Sequence, residues 1–295
     1  MKGRHRPSRS FVVSPNSRLV RYDPVMPAAA ADQLRRWIDG HRRVFVLTGA
    51  GCSTASGIPD YRDENGEWKR RPPVMFQAFR TDAAVYRRYW ARAFAGWTRF
   101  SAAAPGAAHR ALAAWERAGT LSRLVTQNVD SLHQRAGSRA VIDLHGRLDV
   151  VVCLGCRART SREAVQATLA AANAGWAAAA STAPDGDADI ADASIASFVP
   201  PACEGCGGRL KPDVVFFGEN VPPARYEDAR AALANADALL VAGSSLMVYS
   251  GYRFALQARD AGQPIAIVNR GRTRADEFAG LKIEADVGAA LRAAL

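Results

Sequence analysis

Residues that could carry chemistry are concentrated in segment 44–62, VFVLTGAGCSTASGIPDYR. The apolar run from Val44 to Leu47 ends at a Gly-Ala-Gly turn, where small residues let backbone amides approach a pyrophosphate. The continuation, Ser56 to Arg62, is too polar and too interrupted by glycine and proline to extend a plain dinucleotide-binding helix. It brings an acid, a ring and a guanidinium beside the turn. The segment predicts a nucleotide-binding loop, although a structural tight turn would also produce Gly49-Ala50-Gly51.

Polar residues follow apolar, strand-like runs at four further places. These are Gln127 to Asp130 after 121–126, His145 after 141–144, Gly243 to Ser245 after 238–242, and Asn269 after 264–268. Because open parallel sheets bind ligands outside the carboxyl ends of their strands, we expect these residues to meet at one edge. Strands that alternate with helical segments predict an α/β fold with a Rossmann-like parallel sheet.

His145 is the candidate general base of this edge, because an imidazole with a pKa near 6.5 suits proton transfer close to neutrality. Asn128 and Asp130 point to one side if their segment is extended, so an amide and a carboxylate could grip a carboxamide and order a water. Each residue also has an ordinary structural interpretation. Asp130 and Ser244 would suit helix caps, and Asn269 would suit a turn. His109 and His133 lie in helical contexts and favour a structural role.

Four of the five cysteines form two C-x-x-C pairs, Cys153 with Cys156 and Cys203 with Cys206. Two such pairs are typical of one zinc held by four thiolates, a closed and therefore structural coordination sphere. A redox pair is the alternative. The long interval between the pairs indicates an insertion, and its Ala/Asp-rich stretch 177–198 predicts loop. The fifth cysteine, Cys52, is expected to be a small packing residue.

The composition suits a globular protein with a sizeable core, since 48% of its 295 residues are hydrophobic. No run approaches the roughly 20 apolar residues that cross a bilayer, so we expect no membrane partner. The net charge of +11 comes almost entirely from arginine. The basic side chains are scattered rather than arranged in stripes with aromatic residues, which argues against nucleic-acid binding.

The elements divide the chain into a sheet domain, two insertions and a tail. The sheet domain comprises 31–70, 116–146 and 214–295, the helical insertion 71–115, the zinc-binding module 147–213, and the flexible basic tail 1–30. The tail is Arg- and Ser-rich and has no acid before Asp23, so a mitochondrial transit segment is the alternative.

Taken together, these motifs resemble those of the sirtuins, which are NAD-dependent protein-lysine deacylases. The matching segments are GAGCSTASGIPDYR (49–62), TQNVDSLHQRAG (126–137), LHG (144–146), the four paired cysteines, KPDVVFFGE (211–219), GSSLMVYS (243–250) and IAIVN (265–269). They follow the family order from about residue 40 to 290. Tyr61, the segment 89–97 and the long insert between the cysteine pairs resemble the class II branch. That branch is associated with deacylase, lipoamidase and ADP-ribosyltransferase activities.

The resemblance implies that NAD is consumed and not recycled as a hydride carrier. The oxygen of an acyl-lysine attacks the nicotinamide ribose as nicotinamide leaves, and water then resolves the adduct to O-acyl-ADP-ribose and free lysine. His145 is implied as the base and Asn128 as a second catalytic residue that holds the ribose and a water. The implied NAD contacts are Gly49, Ala50, Gly51, Ser53, Pro59, Asp60, Tyr61, Arg62, Gln127, Asn128, Asp130, Gly243, Ser244, Ser245, Asn269, Gly271 and Val287.

Acylated protein lysines are the implied partners. The peptide would add as a strand beside Val215, Phe216, Phe217, Gly218 and Glu219. Tyr89 and Arg92 have the spacing that the desuccinylating branch uses at the acyl group, so acetyl, longer and acidic acyl chains stay open, as does ADP-ribosyl transfer to proteins. We expect a monomer with NAD as co-substrate and one structural zinc. We expect it in the bacterial cytoplasm, or in the mitochondrial matrix if the tail is a transit segment.

Overall fold

The computed structural model describes residues 28–63, 65, 67, 69, 73–176, 181–182, 188–189 and 195–295. Its helices are α1 (Ala28–Asp39), α2 (Phe76–Thr81), α3 (Ala83–Ser101), α4 (Ala107–Arg117), α5 (Leu132–Arg135), α6 (Arg162–Ala172), α7 (Pro223–Ala234), α8 (Tyr249–Asp260) and α9 (Val287–Ala293). Its strands are β1 (Val44–Thr48), β2 (Leu121–Thr126), β3 (Val141–Asp143), β4 (Gly146–Cys153), β5 (Arg159–Ser161), β6 (Ser181–Thr182), β7 (Ala188–Asp189), β8 (Leu210–Val214), β9 (Ala238–Ala242), β10 (Ile265–Val268) and β11 (Leu281–Ile283). The predicted basic tail lies outside the described residues except for its last three, which begin α1.

Six strands form one parallel sheet in the order β11-β10-β9-β1-β2-β3. This order confirms the predicted α/β, Rossmann-like class. The winding direction reverses between β1 and β9, and the carboxyl ends of these two strands lie side by side. A reversal point of this kind is where such sheets bind ligands.

Both faces of the parallel sheet are covered by helices, so β1 and β9 are buried along their whole length. Leu34 of α1, Leu112 of α4 and Leu291 of α9 pack on one face. Leu233 of α7 and Phe254 of α8 pack on the other. Helix α4 therefore belongs to the packing of the sheet, although most of it falls within the predicted insertion 71–115.

A second unit contains both cysteine pairs and the antiparallel sheet β5-β4-β8. It packs on α2 and α3 through an aromatic cluster that includes Phe79, Trp90 and Phe216. The fully buried Arg162 ties the two together, since its guanidinium lies 5.3 Å from the Trp90 ring centroid and 4.7 Å from that of Trp97.

Two sequence-based element predictions differ from the structure. The extended run predicted at 213–217 is displaced, because β8 ends at Val214 and the Phe216 N–H donates to the Glu219 carboxylate instead of a neighbouring strand. Within the predicted loop 177–198, β6 and β7 form an antiparallel pair, a backbone contact that an Ala/Asp-rich composition does not signal. Residues 177–180, 183–187 and 190–194 of that loop lie outside the described residues. Within the described part of the chain, no helix combines the length and apolarity needed to cross a membrane.

Candidate active site

A cavity of about 790 Å³ opens at the carboxyl ends of the parallel strands. It is lined by 23 of the 25 predicted NAD-binding, catalytic and substrate residues, from Gly49 on the β1 loop to Val287 at the start of α9. The two that do not line it are Gly271, whose N–H donates to the Glu284 carboxylate, and Arg92 on α3. One edge of the sheet thus gathers residues that are far apart in the chain.

The loops after β1 and β9 touch through bare backbone. Gly51 N–H donates to Gly243 O at 2.9 Å, and Gly49 N–H donates to Ala242 O at 3.1 Å. A Cβ on Gly49 would lie 2.7 Å from Gly243 O, and one on Gly243 would lie 2.6 Å from Cys52 N. Side chains are therefore excluded from this contact, and a loop without side chains fits the close approach of a dinucleotide pyrophosphate.

Ser53 links the two polar residues that were predicted to act together. Its side chain is 1% exposed, and its hydroxyl donates to Asp130 Oδ2 at 2.6 Å. The Ser53 hydroxyl oxygen also accepts from Asn128 Nδ2 at 3.0 Å. The side chains of Asn128 and Asp130 therefore lie on the same side of the segment that follows β2. Asp130 Oδ1 also accepts from Leu132 N–H at the start of α5. Asp130 therefore has the cap-like contact that its structural interpretation predicts, and it also lines the cavity.

Two buried histidines extend this network behind the cavity. His109 Nδ1 accepts from Gly106 N–H, so Nε2 carries the proton of the neutral ring and donates to Ser53 Oγ at 3.3 Å. Burial lowers the pKa of His109 to about 4, against the opposing charge of Asp130. Burial also lowers the pKa of His133, whose Nε2 lies 3.0 Å from Thr48 Oγ1. Sequence reasoning found no specific role for either ring, because each acts through residues distant in the chain.

His145 is half-buried and bonded at both ring nitrogens. Nδ1 lies 2.9 Å from the Gln127 carbonyl oxygen, which only accepts, so Nδ1 carries the proton and Nε2 has a lone pair. The Ser250 hydroxyl, 2.8 Å away, donates to Nε2. Burial lowers the pKa of His145 to about 4, the bond to Gln127 raises it in part, and the charges of Arg253 and Arg225 lower it further. The ring is neutral at pH 7 and able to take a proton.

The segment 215–219 is held by a buried ion pair that the sequence did not reveal. Lys211 Nζ donates to Glu219 Oε2 at 2.5 Å and to Val214 O at 2.8 Å. The Glu219 carboxylate in turn accepts from Phe216 N–H at 2.8 Å. This pair fixes the backbone beside the cavity. Within the motif KPDVVFFGE (211–219), the sequence predicted substrate contacts only for residues 215–219 and gave no role to Lys211.

The aromatic wall of the cavity contains Tyr89, which is 5% exposed. Its ring meets Phe79 edge-on at 5.1 Å and tilts against Phe216 at 5.2 Å. This end of the cavity is apolar. The guanidinium of Arg92, predicted beside Tyr89, lies outside it.

Several alternatives from the sequence are decided by these contacts. Helix α8 is capped by Val248, so Ser244 is no helix cap, and its hydroxyl accepts from Gln127 Nε2 at 2.8 Å. Asn269 lines the cavity and also forms a turn, since its Nδ2 donates to Arg270 O at 2.6 Å. The Cys52 thiol is buried and donates to Ala242 O, as expected for a packing residue.

The four paired cysteines converge in the second unit. Cys153 and Cys206 have their sulfurs 3.5 Å apart, and Cys156 and Cys203 have theirs 3.7 Å apart. All four lie within 4.8 Å of one another. A tetrahedral zinc with Zn–S bonds of about 2.3 Å requires sulfurs roughly 3.8 Å apart, so the set fits this metal. Four protein ligands leave no open position, which makes the zinc structural.

Known proteins share both the sequence and the shape of this chain. The sequence profile of the Sir2 family matches residues 49–250. A protein of Xanthomonas axonopodis pv. citri (strain 306) named NAD-dependent protein deacetylase is 60% identical over 267 residues, covering 90% of this chain and 91% of the relative. NAD-dependent protein deacetylase 2 of Bradyrhizobium diazoefficiens is 59% identical over 263 residues, covering 89% and 96%.

Solved structures of Sir2 enzymes have the same fold. One, of Sir2 with a p53 peptide and NAD+, superposes with a TM-score of 0.70 at 32% identity, covering 88% of this chain and 95% of that one. Another, of a Sir2 variant with deacetylated p53 peptide and 3′-O-acetyl-ADP-ribose, has a TM-score of 0.72 at 32% identity, covering 89% and 96%. By sequence, fold and site geometry, this chain belongs to the Sir2 family.

Proposed function

We propose that this protein, an NAD-dependent protein-lysine deacetylase, carries out its reaction in the cavity at the carboxyl ends of the parallel strands. The net reaction converts acetyl-lysine, NAD and one water into lysine, nicotinamide and O-acetyl-ADP-ribose. One observation carries the residue assignment. The bare backbone of the glycine loops, the Asn128–Ser53–Asp130 group and the neutral His145 all line the same cavity.

NAD serves as the co-substrate and supplies the ribose carbon that accepts the acyl oxygen. The backbone of Gly49 and Gly51 would face its pyrophosphate, with Ser244, Asn269 and the start of α9 at Val287 on the adenosine side. Asp130 would hold the nicotinamide carboxamide, while Asn128 orders the ribose and a water. The wall from Asp60 to Arg62 closes the pocket, where the Tyr61 ring would screen the reacting carbon from bulk water.

His145 acts as the general base in the second half of the reaction. Its Nε2 lone pair would take the proton of a ribose hydroxyl, whose oxygen then attacks the carbon of the transferred acyl group. The low pKa of His145 keeps this lone pair available across the neutral range. Nδ1 keeps its proton and donates to the Gln127 carbonyl oxygen throughout.

The acyl-lysine peptide would add as a strand beside residues 215–219, which the Lys211–Glu219 pair stiffens. The acyl group would enter beside Tyr89 and Phe216. Because Arg92 lies outside the cavity, we assign no carboxylate contact to it and propose an uncharged acyl group as the preferred substrate.

Five further assignments rest on the sequence. We place the protein in the class II branch and in the bacterial cytoplasm, in line with its bacterial relatives. We propose that it acts as a monomer without nucleic acid, and we keep the proposed division into a sheet domain, helical insertion and zinc-binding module. Light scattering on the purified protein, with and without duplex DNA, tests the oligomeric state and nucleic-acid binding together.

The function is tested by mixing the protein with NAD and a panel of acetyl-, fatty-acyl-, lipoyl- and succinyl-lysine peptides. We expect nicotinamide release that depends on the peptide, and a product with the mass of O-acetyl-ADP-ribose. His145→Ala should abolish product formation with the fold intact. NAD labelled in the adenosine would remain on protein if the reaction were ADP-ribosyl transfer. Absence of nicotinamide release with every peptide would refute the proposal.

A further inference from the structure

Ser250 occupies a position that none of the assigned roles explains. It lies in the first turn of α8, lines the cavity and donates to the one nitrogen of His145 that must take a proton. The two residues are separated by 105 positions in the chain. The base is thus bonded on both sides, by the Gln127 carbonyl at Nδ1 and by the Ser250 hydroxyl at Nε2.

Helix α8, which carries Ser250, packs directly against the side chain of Gln127. A Cβ on Gly251, the residue after Ser250, would lie 2.4 Å from Gln127 Oε1. The Gln127 side chain therefore rests directly on the first turn of α8, and its Nε2 bonds Ser244 Oγ at 2.8 Å. Two consecutive residues of α8 therefore contact this site. Ser250 bonds His145, and Gly251 packs against Gln127, whose carbonyl bonds the other ring nitrogen. The imidazole plane is fixed by this arrangement.

We infer that Ser250 is a positioning residue of the acyl-transfer step: its hydroxyl holds His145 Nε2 toward the cavity, rotates when a ribose hydroxyl delivers a proton to that nitrogen, and then accepts from the imidazolium N–H. This inference rests on the proposed function. A hydroxyl suits the task because it can donate to the neutral ring and, after rotating, accept from the imidazolium. An alanine side chain could bond neither the neutral nor the protonated ring, and a carbonyl or carboxylate oxygen could only accept from the protonated ring.

The surroundings of His145 make this partner important. Its charged neighbours are Arg253 on α8 and Arg225 on α7, and both disfavour the imidazolium. Arg225 is paired with Asp213 at 2.9 Å, and that carboxylate also pairs with Arg159. Among the described residues, the Ser250 hydroxyl is thus the group hydrogen-bonded to Nε2 that can stabilise the ring when its charge forms.

The test separates the two halves of the reaction. Exchange of labelled nicotinamide into NAD, in the presence of acetyl-lysine peptide, reports only cleavage at the nicotinamide ribose, whereas O-acetyl-ADP-ribose formation also requires the base. For Ser250→Ala we expect exchange within about twofold of wild type and acyl transfer slower by about tenfold, the effect of one hydrogen bond. Ser250→Thr, which keeps the hydroxyl, should restore acyl transfer.

A pH profile adds a readout that loss of packing would not move. Loss of a hydrogen-bond acceptor destabilises the charged His145 ring more than loss of a donor destabilises the neutral ring. Ser250→Ala should therefore disfavour protonation of the ring and move the acid limb of the pH profile of acyl transfer to lower pH. Ser250→Cys should show the same changes to a smaller degree and covers the case that the alanine variant is unstable. Unchanged acyl transfer, or equal losses in exchange and acyl transfer, would overturn the inference. A wild-type protein without peptide-dependent exchange would instead contradict the proposed function.

Discussion

Replacing Ser53 by alanine tests whether the network behind the nicotinamide pocket supports the first half of the reaction. The Ser53 hydroxyl donates to Asp130 at 2.6 Å and accepts from Asn128 at 3.0 Å and His109 at 3.3 Å. Ser53→Ala removes all three contacts at a site that is 1% exposed. Asp130 then loses a donor, and two N–H groups lose their acceptor.

The size of the effect follows from what remains. Asn128 keeps a bond from Nδ2 to Gly49 O at 3.1 Å, and Asp130 keeps the Leu132 amide. The main loss is one hydrogen bond to a carboxylate, about 1.5–3 kcal/mol, with a smaller loss at His109. We therefore expect the free energy of unfolding to fall by about 2–4 kcal/mol. About 2 kcal/mol of lost orientation at Asp130 corresponds to a roughly 30-fold fall in kcat/KM for NAD.

Calorimetry and steady-state kinetics with varied NAD measure these two quantities. Nicotinamide exchange should fall together with acyl transfer, because both require the nicotinamide to be held. Ser56→Ala is the matched control, since its hydroxyl is buried in the same loop without a hydrogen-bond partner among the described residues. A Ser53→Ala protein with wild-type kcat/KM for NAD, or two variants with equal losses, would refute the reasoning.

Three further predictions concern pH, zinc and the substrate strand. Burial lowers the pKa of both His109 and His145 from 6.5 to about 4, so the unfolded chain binds more protons than the folded chain between these pH values. The free energy of unfolding should therefore fall as the pH drops from about 6.5 to 4, by up to about 1.4 kcal/mol per pH unit for each ring. Urea unfolding at pH 7.5 and 5 measures this difference, and equal stability at both would count against it. Metal analysis should find one zinc per chain. Removal of the zinc by chelation should abolish peptide turnover, because β8 leads from the cysteine unit into residues 215–219, where we propose that the peptide binds. A zinc-free protein with full turnover would contradict this. Glu219→Gln should raise the KM for peptide by about tenfold by weakening the bond to Lys211, whereas an equal rise in the KM for NAD would show a wider disturbance.

Local patterns predicted much of the fold. The apolar runs 121–126 and 238–242 match β2 and β9 to the residue, because each ends where a polar or glycine-rich segment begins. The parallel sheet gathers the residues after its strands at one edge, as expected. The cysteine spacing predicted the metal cluster, since each C-x-x-C turn brings two thiolates together.

Contacts between distant segments could not be predicted in the same way. His109 meets Ser53 across 56 positions and Ser250 meets His145 across 105. In each case the residue stands on a helix whose pattern reports only burial. The Tyr89 and Arg92 spacing did not indicate which of the two side chains lines the cavity, because the packing of a helix decides which of two neighbouring residues faces a site. Packing of α3 puts Tyr89 in the cavity wall and leaves Arg92 outside it.

Ser53 and Ser250 belong to two hydrogen-bond networks that meet at the end of β2. Ser53 bonds the side chains of Asp130 and Asn128, whereas Ser250 bonds a ring whose other nitrogen bonds the main chain of Gln127. Gln127 and Asn128 are consecutive residues directly after β2, so one peptide unit separates the network that we propose to orient the nicotinamide from the network that we propose to orient the base. Gln127 N–H is itself bonded to Thr48 O at 3.0 Å, the last residue of β1 before the glycine loop. The central strands β1 and β2 thus fix both networks relative to the glycine loop that we propose for the pyrophosphate, and the other side chains of the two networks come from α4, the β1 loop and α8.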